Sequence, residues 1–379
     1  MLKRATAVAL VLLVPIATGT VASAQAPKVA AAHKVAAAHK KAKPKPKPKP
    51  VPSVTLNGAG ASSIEPFFSP VFYEYHQAHP KVTVNYDPAG SSVGISDIQQ
   101  DTVNFGDSEI PMQAKDLALA KGPVLQVPVD LGGIAISYNI PGVPTGLKLD
   151  GPTLASILDG TIENWDSPII ASESGFNHLP NLPIVVVHRA DSAGPTWDVD
   201  DFLIETAPSW VQIIGTKNPS KTWPITGYGL GEQLNSGVAT YIAQTPGSIG
   251  YVEYGYALKA GFTNAAILNS SGAYVAPSAA AIGSAGSYAQ NLSPSNFSII
   301  NEPGAATYPI ANFSWTLLYQ KQSNTLVGEA LQALFNYVVT TGQTTAGSLG
   351  YAPLPANVVA TAQATLKQLE TSSGKPLPS

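Results

Sequence analysis

The sequence predicts an α/β protein, in which strands, small-residue turns and helices alternate along the chain. Residues 54–56 are predicted to form a strand that enters the turn 57–63, and a helix over 67–79 follows. The same unit repeats with a strand at 82–86 and a turn at 90–94. Such repeats are typical of a sheet with helices on its faces. Since ligands usually bind at the carboxyl ends of the strands, the turns are the candidate functional positions.

The remaining elements follow from apolar runs between turn residues. Pro195 fits the first turn of a helix, where its missing N–H costs no hydrogen bond, and Gly160 fits the residue just beyond a helix end. The chain of 379 residues exceeds one average domain and is 44% hydrophobic, so two lobes or domains with a sizeable core are expected. Further strands are predicted at 103–105, 132–138, 182–187, 248–252 and 312–318, and further helices at 152–158, 326–339 and 355–369.

The composition excludes several classes of functional site. The chain has no cysteine, which excludes disulfides, thiolate catalysis, iron–sulfur clusters, cysteine zinc sites and a cysteine-linked lipid anchor. It has six histidines, two of them near the N-terminus, so a histidine-rich metal site is not expected. The sequence therefore predicts neither a metal nor a cofactor.

Charge is distributed unevenly along the chain. Ten of the 21 Lys and Arg residues lie in residues 1–52, which contain no acid, and the other 11 share residues 53–379 with all 24 acids. The overall charge of −3 therefore divides into a basic tail and a body of net charge −13. A body this acidic is poorly suited to binding nucleic acid.

The first 52 residues are predicted to serve export and spacing rather than folding. Lys3 and Arg4 precede an apolar run, and Ala22-Ser23-Ala24 fits a cleavage site, so residues 1–24 are a predicted signal peptide. Residues 25–52 are rich in Lys, Pro and Ala, which predicts a disordered but stiff polyproline-II linker. The linker is either a solvated stalk or an electrostatic tether to anionic cell-wall polymers or lipid headgroups.

Arg189 is the candidate centre of an anion site. It is the only Arg in residues 53–379, and it precedes a turn of small and hydroxyl-bearing residues that opens onto a helix. The free N–H groups of a helix N-terminus attract anions, and a guanidinium can bond two oxygens at once. Several such turns converging on one cleft would make an anion site. The alternative is a surface salt bridge from Arg189 to Asp191.

A hydrolase is a second interpretation of these turns. Residues 90–94, Gly-Ser-Ser-Val-Gly, match G-x-S-x-G, which would make Ser92 a nucleophile with His178 or His188 as its base. The motif is short, and it comes only ~40 residues into the body, early for a nucleophile at the centre of a hydrolase sheet. No P-loop occurs, and Ser63 occupies the third glycine position of a dinucleotide fingerprint.

An ordered set of short motifs runs through essentially all of residues 54–377. The motifs are Gly58-Ala-Gly-Ala-Ser62, Gly90-Ser-Ser92, Val103-Asn-Phe-Gly106, Pro111-Met112, Leu149-Asp-Gly151, Asn164-Trp165-Asp166, His188-Arg-Ala-Asp191, Trp223-Pro224, Gly247-Ser-Ile-Gly-Tyr-Val-Glu253, Tyr308-Pro-Ile310 and Ser373-Gly-Lys-Pro-Leu377. Their order resembles that of the phosphate-binding proteins of the phosphate-specific ABC transporter (PstS type). The resemblance rests on the ordered set rather than on any single motif.

This resemblance implies a type II periplasmic-binding-protein fold, with two α/β lobes, two crossover strands and a ligand cleft between the lobes. Lobe I would comprise 53–136 and 306–379, and lobe II would comprise 137–305. The implied function is that of an exported periplasmic or cell-surface protein, not an enzyme. It would capture inorganic phosphate and deliver it to the membrane permease of an ABC importer. We expect a monomer.

By position, the resemblance also implies a set of phosphate-binding residues. In the family an acid, usually Asp, accepts the proton of hydrogen phosphate. Sulfate has no proton at neutral pH, so its oxygen would face a buried carboxylate unpaired. Glu109 stands at the position of this acid, and the cleft must absorb its extra methylene. The implied residues are Ser62, Ser63, Ser91, Glu109, Arg189, Asp191 and Gly194.

Ala193 and Pro195 depart from the family loop, which usually has Ser-Gly-Thr at these positions. Two hydroxyls and one backbone N–H are lost. At about 1.5–3 kcal/mol each, their full loss would cost ~4.5–9 kcal/mol of binding free energy, or roughly three to six powers of ten in affinity. Ser192 and Thr196 flank the gap and could supply substitute hydroxyls if the loop shifts by one residue.

Three functions follow from these patterns. The main hypothesis is a phosphate-binding protein that feeds an importer. The first alternative is a divergent cell-envelope protein with weak or no affinity for phosphate, which uses the basic tail. The second alternative is a secreted serine hydrolase or phosphatase that uses Ser92.

Overall fold

Strands and helices alternate through the folded part of the protein. The computed structural model describes residues 52–176 and 178–378, so the predicted signal peptide, and all of the predicted linker except Pro52, lie outside the described residues. The strands are β1 (Val54–Gly60), β2 (Val82–Asp87), β3 (Phe105–Ser108), β4 (Val124–Tyr138), β5 (Lys148–Leu149), β6 (Val185–Arg189), β7 (Leu230–Glu232), β8 (Ser248–Glu253), β9 (Thr263–Asn264), β10 (Ala266–Leu268), β11 (Tyr274–Val275), β12 (Ala311–Tyr319), β13 (Lys321–Gln322) and β14 (Glu370–Thr371).

Helices cover the sheet and follow most of its strands. Across the part of the chain that the structure describes, every helix falls short of the length and apolar character that a bilayer span requires. The α-helices are α1 (Glu65–Ala78), α2 (Ser91–Gln100), α3 (Ala114–Leu117), α4 (Gly151–Leu158), α5 (Pro168–Glu173), α6 (Gly194–Thr206), α7 (Pro208–Ile214), α8 (Leu234–Gln244), α9 (Tyr254–Ala260), α10 (Ala279–Gly286), α11 (Thr325–Val338) and α12 (Ala356–Leu366), and a 3-10 helix spans Thr341–Leu349.

One mixed sheet of nine strands organises the fold. Its order is β2-β1-β3-β12-β4-β8-β6-β7, and β9 also pairs with β4. β1 is parallel to β2 and β3, and β6 is parallel to β7 and β8, whereas β4 and β12 run antiparallel to their neighbours. The long strand β4 pairs with β12 over 124–133 and with β8 over 134–138. A single strand therefore connects two groups of parallel strands, as a crossover strand does.

An aromatic cluster fixes the first helix against the sheet. Phe68 of α1 is fully buried, and its ring stacks on Phe72 at 4.5 Å and lies 6.5 Å from Phe105 of β3. Phe105 in turn lies 5.1 Å from the ring of Phe335 in α11. Burial of each such side chain stabilises the fold by about 1.5–3 kcal/mol. The cluster thereby holds in place the turn between β1 and α1, which carries predicted site residues.

Two strands begin three or more residues away from their predicted first residue. β4 begins at Val124 rather than at residue 132, because Gln126 and Asp130 are buried polar residues that interrupt the apolar pattern. β6 begins at Val185 rather than at residue 182, because the backbone N–H of Leu182 donates to Asn164 Oδ1 at 3.0 Å instead of to a strand. The predicted helix-terminal roles of Pro195 and Gly160 are confirmed.

Candidate functional site

The parallel strands β1, β2 and β3 bring the first part of the predicted site together. Ser62 and Ser63 follow β1, Ser91 begins α2, and Glu109 follows β3. All four residues are at most 2% exposed. The Ser91 hydroxyl donates to Glu109 Oε2 at 3.3 Å. Gly90 makes the turn into α2 at a φ of 105°, a conformation that favours glycine.

Strand β6 supplies the cation of the site. Arg189 ends β6 and is 1% exposed, and its Nε donates to Asp191 Oδ1 at 2.7 Å while Nη2 donates to Asp191 Oδ2. Burial raises the pKa of Asp191, but the hydrogen bonds and charge of Arg189 outweigh it and hold this pKa below its usual value. The ion pair of the predicted alternative exists, but it does not lie on the open surface: Arg189 is buried, and the Asp191 side chain is 17% exposed.

The two groups of residues meet directly. A Cβ placed on Gly194 would lie 2.3 Å from Glu109 Oε2 and 2.4 Å from Glu109 Cβ, so Glu109 occupies the space that a side chain would take. A Cβ placed on Gly90 would lie 3.2 Å from Asp191 Oδ2 and 4.0 Å from Arg189 Nη2. The turn before α2 therefore touches the Arg189–Asp191 pair, and the start of α6 touches Glu109.

Two of the buried donors that have no hydrogen-bond partner among the described residues lie in this site. They are Arg189 Nη1 and Ser63 Oγ. The Ser63 hydroxyl is near enough to Glu109 to lower its pKa, although it makes no hydrogen bond of normal geometry. A buried polar group without a partner costs about 1–3 kcal/mol. An anion in this cleft could accept a hydrogen bond from both donors.

Burial raises the pKa of Glu109 to about 7, against the lowering effects of the Arg189 charge and of the Ser63 and Ser91 hydroxyls. Near neutral pH this carboxyl can therefore either give or accept a proton. The site thus combines a guanidinium with a proton acceptor. That combination suits an oxyanion that carries an exchangeable proton.

Asn235 reaches the site from the start of α8, and the sequence analysis missed it. The side chain is fully buried, its Nδ2 donates to Ser62 Oγ at 3.1 Å, and its Oδ1 accepts from the Glu253 backbone N–H at 2.9 Å. The neighbouring Leu234 has a φ of 61° and donates its backbone N–H to Asp191 Oδ1 at 3.1 Å. The only signal of Asn235 in the sequence was that it is a polar residue in the first turn of an apolar helix.

Asn312 of β12 is a second residue that the sequence analysis did not single out. Its Nδ2 donates to Asp198 Oδ2 at 2.6 Å and to Glu109 Oε1 at 3.3 Å. Asn312 therefore orients Glu109 from the face opposite Ser91. It was hidden in the sequence because it belongs to a predicted strand with no motif around it.

The loop before α6 carries the departures from the family pattern. Ala193 is fully buried. The Ser192 hydroxyl accepts from Ser92 Oγ at 2.8 Å, and Thr196 Oγ1 lies 2.7 Å from the Tyr251 hydroxyl. Each flanking hydroxyl thus already has a partner. Their use as substitute donors for an anion stays a prediction.

The residues of the hydrolase interpretation are not assembled into a catalytic group. Ser92 bonds to Ser192, whereas His188 Nδ1 contacts its neighbour's carbonyl, Arg189 O, at 3.0 Å and stacks on Trp223 at 4.7 Å. His178 is exposed. Over residues 52–176 and 178–378, no imidazole hydrogen-bonds to Ser92, and no group of three or more His, Asp or Glu side chains could hold a metal ion.

Comparison with known proteins agrees with this geometry. The profile described as PBP superfamily domain matches residues 18–341. The phosphate-binding protein PstS of Xylella fastidiosa (strain 9a5c) is 36% identical over 310 residues, which cover 81% of this chain and 83% of that protein.

Two solved structures share the fold. A high-affinity periplasmic phosphate-binding protein, solved with bound phosphate, has 20% identity and a TM-score of 0.65 over 82% of this chain and 93% of its own. The phosphate-binding protein of Stenotrophomonas maltophilia has 16% identity and a TM-score of 0.66 over 82% and 94%. The predicted two-lobed α/β fold is thereby confirmed.

Proposed function

Because the chain belongs to the family of PstS phosphate-binding proteins, we propose that it captures inorganic phosphate in the cleft and delivers it to the permease of an ABC importer. One observation carries the proposal. Arg189 Nη1 and Ser63 Oγ are buried donors without partners, and they lie beside Glu109, a carboxyl able to accept a proton.

Each side chain of the proposed site has a distinct role. Arg189 supplies the positive charge, and Asp191 fixes the guanidinium so that Nη1 is left for phosphate. Ser63 and Ser91 donate hydroxyl hydrogens, and Glu109 accepts the proton of hydrogen phosphate. Ser62 adds a hydroxyl, Gly194 a backbone N–H, and the N-termini of α1, α2 and α6 add further N–H groups and a favourable dipole.

Selectivity follows from the proton on the ligand. Above pH 7, where Glu109 is mostly ionised, hydrogen phosphate and hydrogen arsenate can donate to its carboxylate, whereas sulfate would place an unprotonated oxygen against it. The absence of a hydroxyl at Ala193, and of a hydroxyl and an N–H at Pro195, weakens phosphate binding relative to the usual family loop.

We further propose that the body divides as predicted into lobe I (53–136 and 306–379) and lobe II (137–305). The pairing of β4 supports this division, since its partner changes from β12 to β8 between Gly133 and Ile134, close to the predicted boundary. Closure of the two lobes over phosphate would create the surface that the permease recognises.

The proposal extends to the location and state of the protein. Residues 1–24 direct export, residues 25–52 space the body from an anionic cell-wall or membrane surface, and the exported protein acts as a monomer. It binds phosphate without changing it chemically, so it is not an enzyme. The acidic charge of the body supports a ligand smaller than nucleic acid.

Isothermal titration of the intact protein with phosphate, arsenate and sulfate tests the function. At pH 8, where Glu109 is mostly ionised, we expect one phosphate per chain, binding of arsenate and no heat with sulfate. Arg189→Ala should abolish the heat at millimolar phosphate, and Ser63→Ala, which removes only a hydroxyl, should weaken binding by about tenfold. Lys367→Ala, at an exposed site, is the control. Absence of heat with the wild-type protein would refute the proposal.

A further inference from the structure

A cavity opens at the edge of the candidate site. It has a volume of about 550 Å³, and elements on both sides of the cleft line it. Ser92 of α2 and Ser192 of the loop before α6 lie in its wall, each next to a residue of the buried site. The 2.8 Å hydrogen bond between these two hydroxyls spans the cleft. The cavity is therefore the mouth of the cleft.

Two lysines line this mouth, one from each side. Lys115 extends from α3, and Lys221 from the segment between α7 and β7. Among the described residues, no hydrogen bond or ion pair reaches either ammonium group, although Lys221 is only partly exposed. Asp116 also lines the cavity, so the three charged side chains sum to one positive charge. The remaining walls are mixed: Ser96, Gln99 and Gln113 are polar, whereas Ile95, Trp197 and Pro219 are apolar.

Lys221 is held in place by its backbone. Its carbonyl accepts the Ala193 N–H at 2.8 Å, and the preceding Ser220 donates its N–H to Asp200 Oδ2 at 2.7 Å. The other oxygen of Asp200 accepts from Trp210 Nε1 at 2.6 Å. The lysine is therefore anchored beside the loop in which Ala193 and Pro195 replace the usual donors.

The Lys221 ammonium group is partly buried, and among the described residues no anion hydrogen-bonds to it. Burial and the positive charge of Lys115 lower its pKa, while the charges of Asp116 and Glu109 act in the opposite direction. The influence of Glu109 shows that the mouth lies within electrostatic range of the buried site. An amine taken partly out of water without a hydrogen-bonding anion is unfavourable, so a bound anion would satisfy this group.

We propose that the mouth is an outer anion site, in which Lys221 and Lys115 first bind inorganic phosphate before it passes to Arg189. The need for such a site follows from the charge of the body, which at −13 repels a phosphate anion. A local positive potential at a cleft entrance raises the rate of association of an oppositely charged ligand. The inference rests on the proposed function, because the outer site serves the inner one.

Stopped-flow fluorescence of the intact protein with phosphate tests the outer site, with Trp197 in the cavity wall as a natural reporter. Lys221→Gln should lower the association rate constant about threefold or more at low ionic strength. The dissociation rate constant should change little. At roughly 0.5 M salt the difference from the wild type should disappear, because screening shortens the range of the charge.

Lys221→Arg, which keeps the charge, should restore the rate, and Lys115→Gln should lower it in the same direction as Lys221→Gln. Lys367→Gln, at an exposed position outside the cavity, is the matched control. An association rate and salt dependence of Lys221→Gln equal to those of the wild type would overturn the outer site. A wild-type protein that binds no phosphate in the titration would instead overturn the proposed function.

Discussion

Glu109 and Gly194 show how a single methylene is accommodated. The family position usually holds Asp, and the longer Glu109 packs where a side chain at residue 194 would be, with only 2.3 Å between Glu109 Oε2 and a Cβ built there. The two positions are therefore linked sterically. A glycine that lies at the start of α6 also leaves its backbone N–H open to the cleft.

Gly194→Ala is predicted to weaken phosphate binding by at least about a hundredfold. The new methyl group would displace the Glu109 carboxyl from its hydrogen bonds with Ser91 and Asn312. The loss of two hydrogen bonds to a charged group reduces the favourable binding free energy by about 3 kcal/mol or more. Titration calorimetry measures the affinity, and circular dichroism checks folding. Gly347→Ala is the matched control, because a Cβ there meets nothing within 4 Å. Wild-type affinity in Gly194→Ala would show that Glu109 does not need this space.

At the scale of elements, strand β12 organises a set of buried carboxyls behind the site. Alternate residues of the strand bond to acids: Asn312 to Asp198, the Ser314 backbone N–H to Asp130 Oδ1 at 2.8 Å, and Thr316 Oγ1 to Asp107 at 3.2 Å. Burial raises the pKa of all three acids, to about 7 for Asp130. The period of two places the side chains of Asn312 and Thr316 on one face of the strand, whereas Ser314 contacts Asp130, its paired residue on β4, through its backbone.

These shifts predict that the protein becomes less stable as the pH rises from about 4 to about 7. In the unfolded chain Asp130 loses its proton near pH 3.9, whereas the folded protein, because of burial, retains it to about pH 7. Between these values the folded state binds more protons, so the free energy of unfolding falls with increasing pH. Denaturant unfolding at pH 4, 6 and 8 measures this fall.

Asp130→Asn isolates one carboxyl of the set. The amide oxygen can keep the hydrogen bond from Ser314, while the titration is removed. The variant should match the wild type at pH 4 and exceed its stability at pH 8 by up to about 4 kcal/mol, the equivalent of three pKa units. Asp87→Asn, at an exposed position, should leave the pH dependence unchanged. A parallel pH dependence in wild type and Asp130→Asn would contradict the assignment.

At the scale of the whole molecule, the site exists only where two groups of strands meet. Ser62 contacts Asn235, and Ser92 contacts Ser192, at separations of 173 and 100 residues along the chain. Strand β4 joins the two groups of parallel strands, because it pairs with β12 on one side and with β8 on the other. Neither group can therefore unfold without disturbing β4. The protein should therefore unfold in one transition.

Phosphate is predicted to raise the melting temperature of that single transition. A ligand at 100 times its Kd stabilises the folded state by about 2.7 kcal/mol, which for a body of this size corresponds to roughly 4 °C. Differential scanning calorimetry with phosphate measures the shift, and sulfate at the same ionic strength is the control. An equal shift with sulfate, or two separate transitions, would contradict a shared phosphate site.

Particular residues explain which parts of the site could be predicted from sequence. Arg189 stood out because it is the only Arg of the body, whereas Ser62 and Ser91 were identified through their positions in the motifs that resemble the family. Asn235 and Asn312 did not stand out, since an isolated amide in a helix or strand has no local pattern. Ser62 lies 173 residues from Asn235 and Glu109 lies 203 residues from Asn312, and only the folded chain brings these partners together.

The sequence by itself determined the alternation of strands and helices, the acidic charge of the body and the ordered motifs of the family, because these depend on local composition and spacing. The tertiary structure decided which turns share one cleft, that the Arg189 guanidinium is buried in its pair with Asp191, and that Lys115 and Lys221 line one cavity. Such facts depend on strand order and on pairing between distant segments. No local property of the chain encodes them.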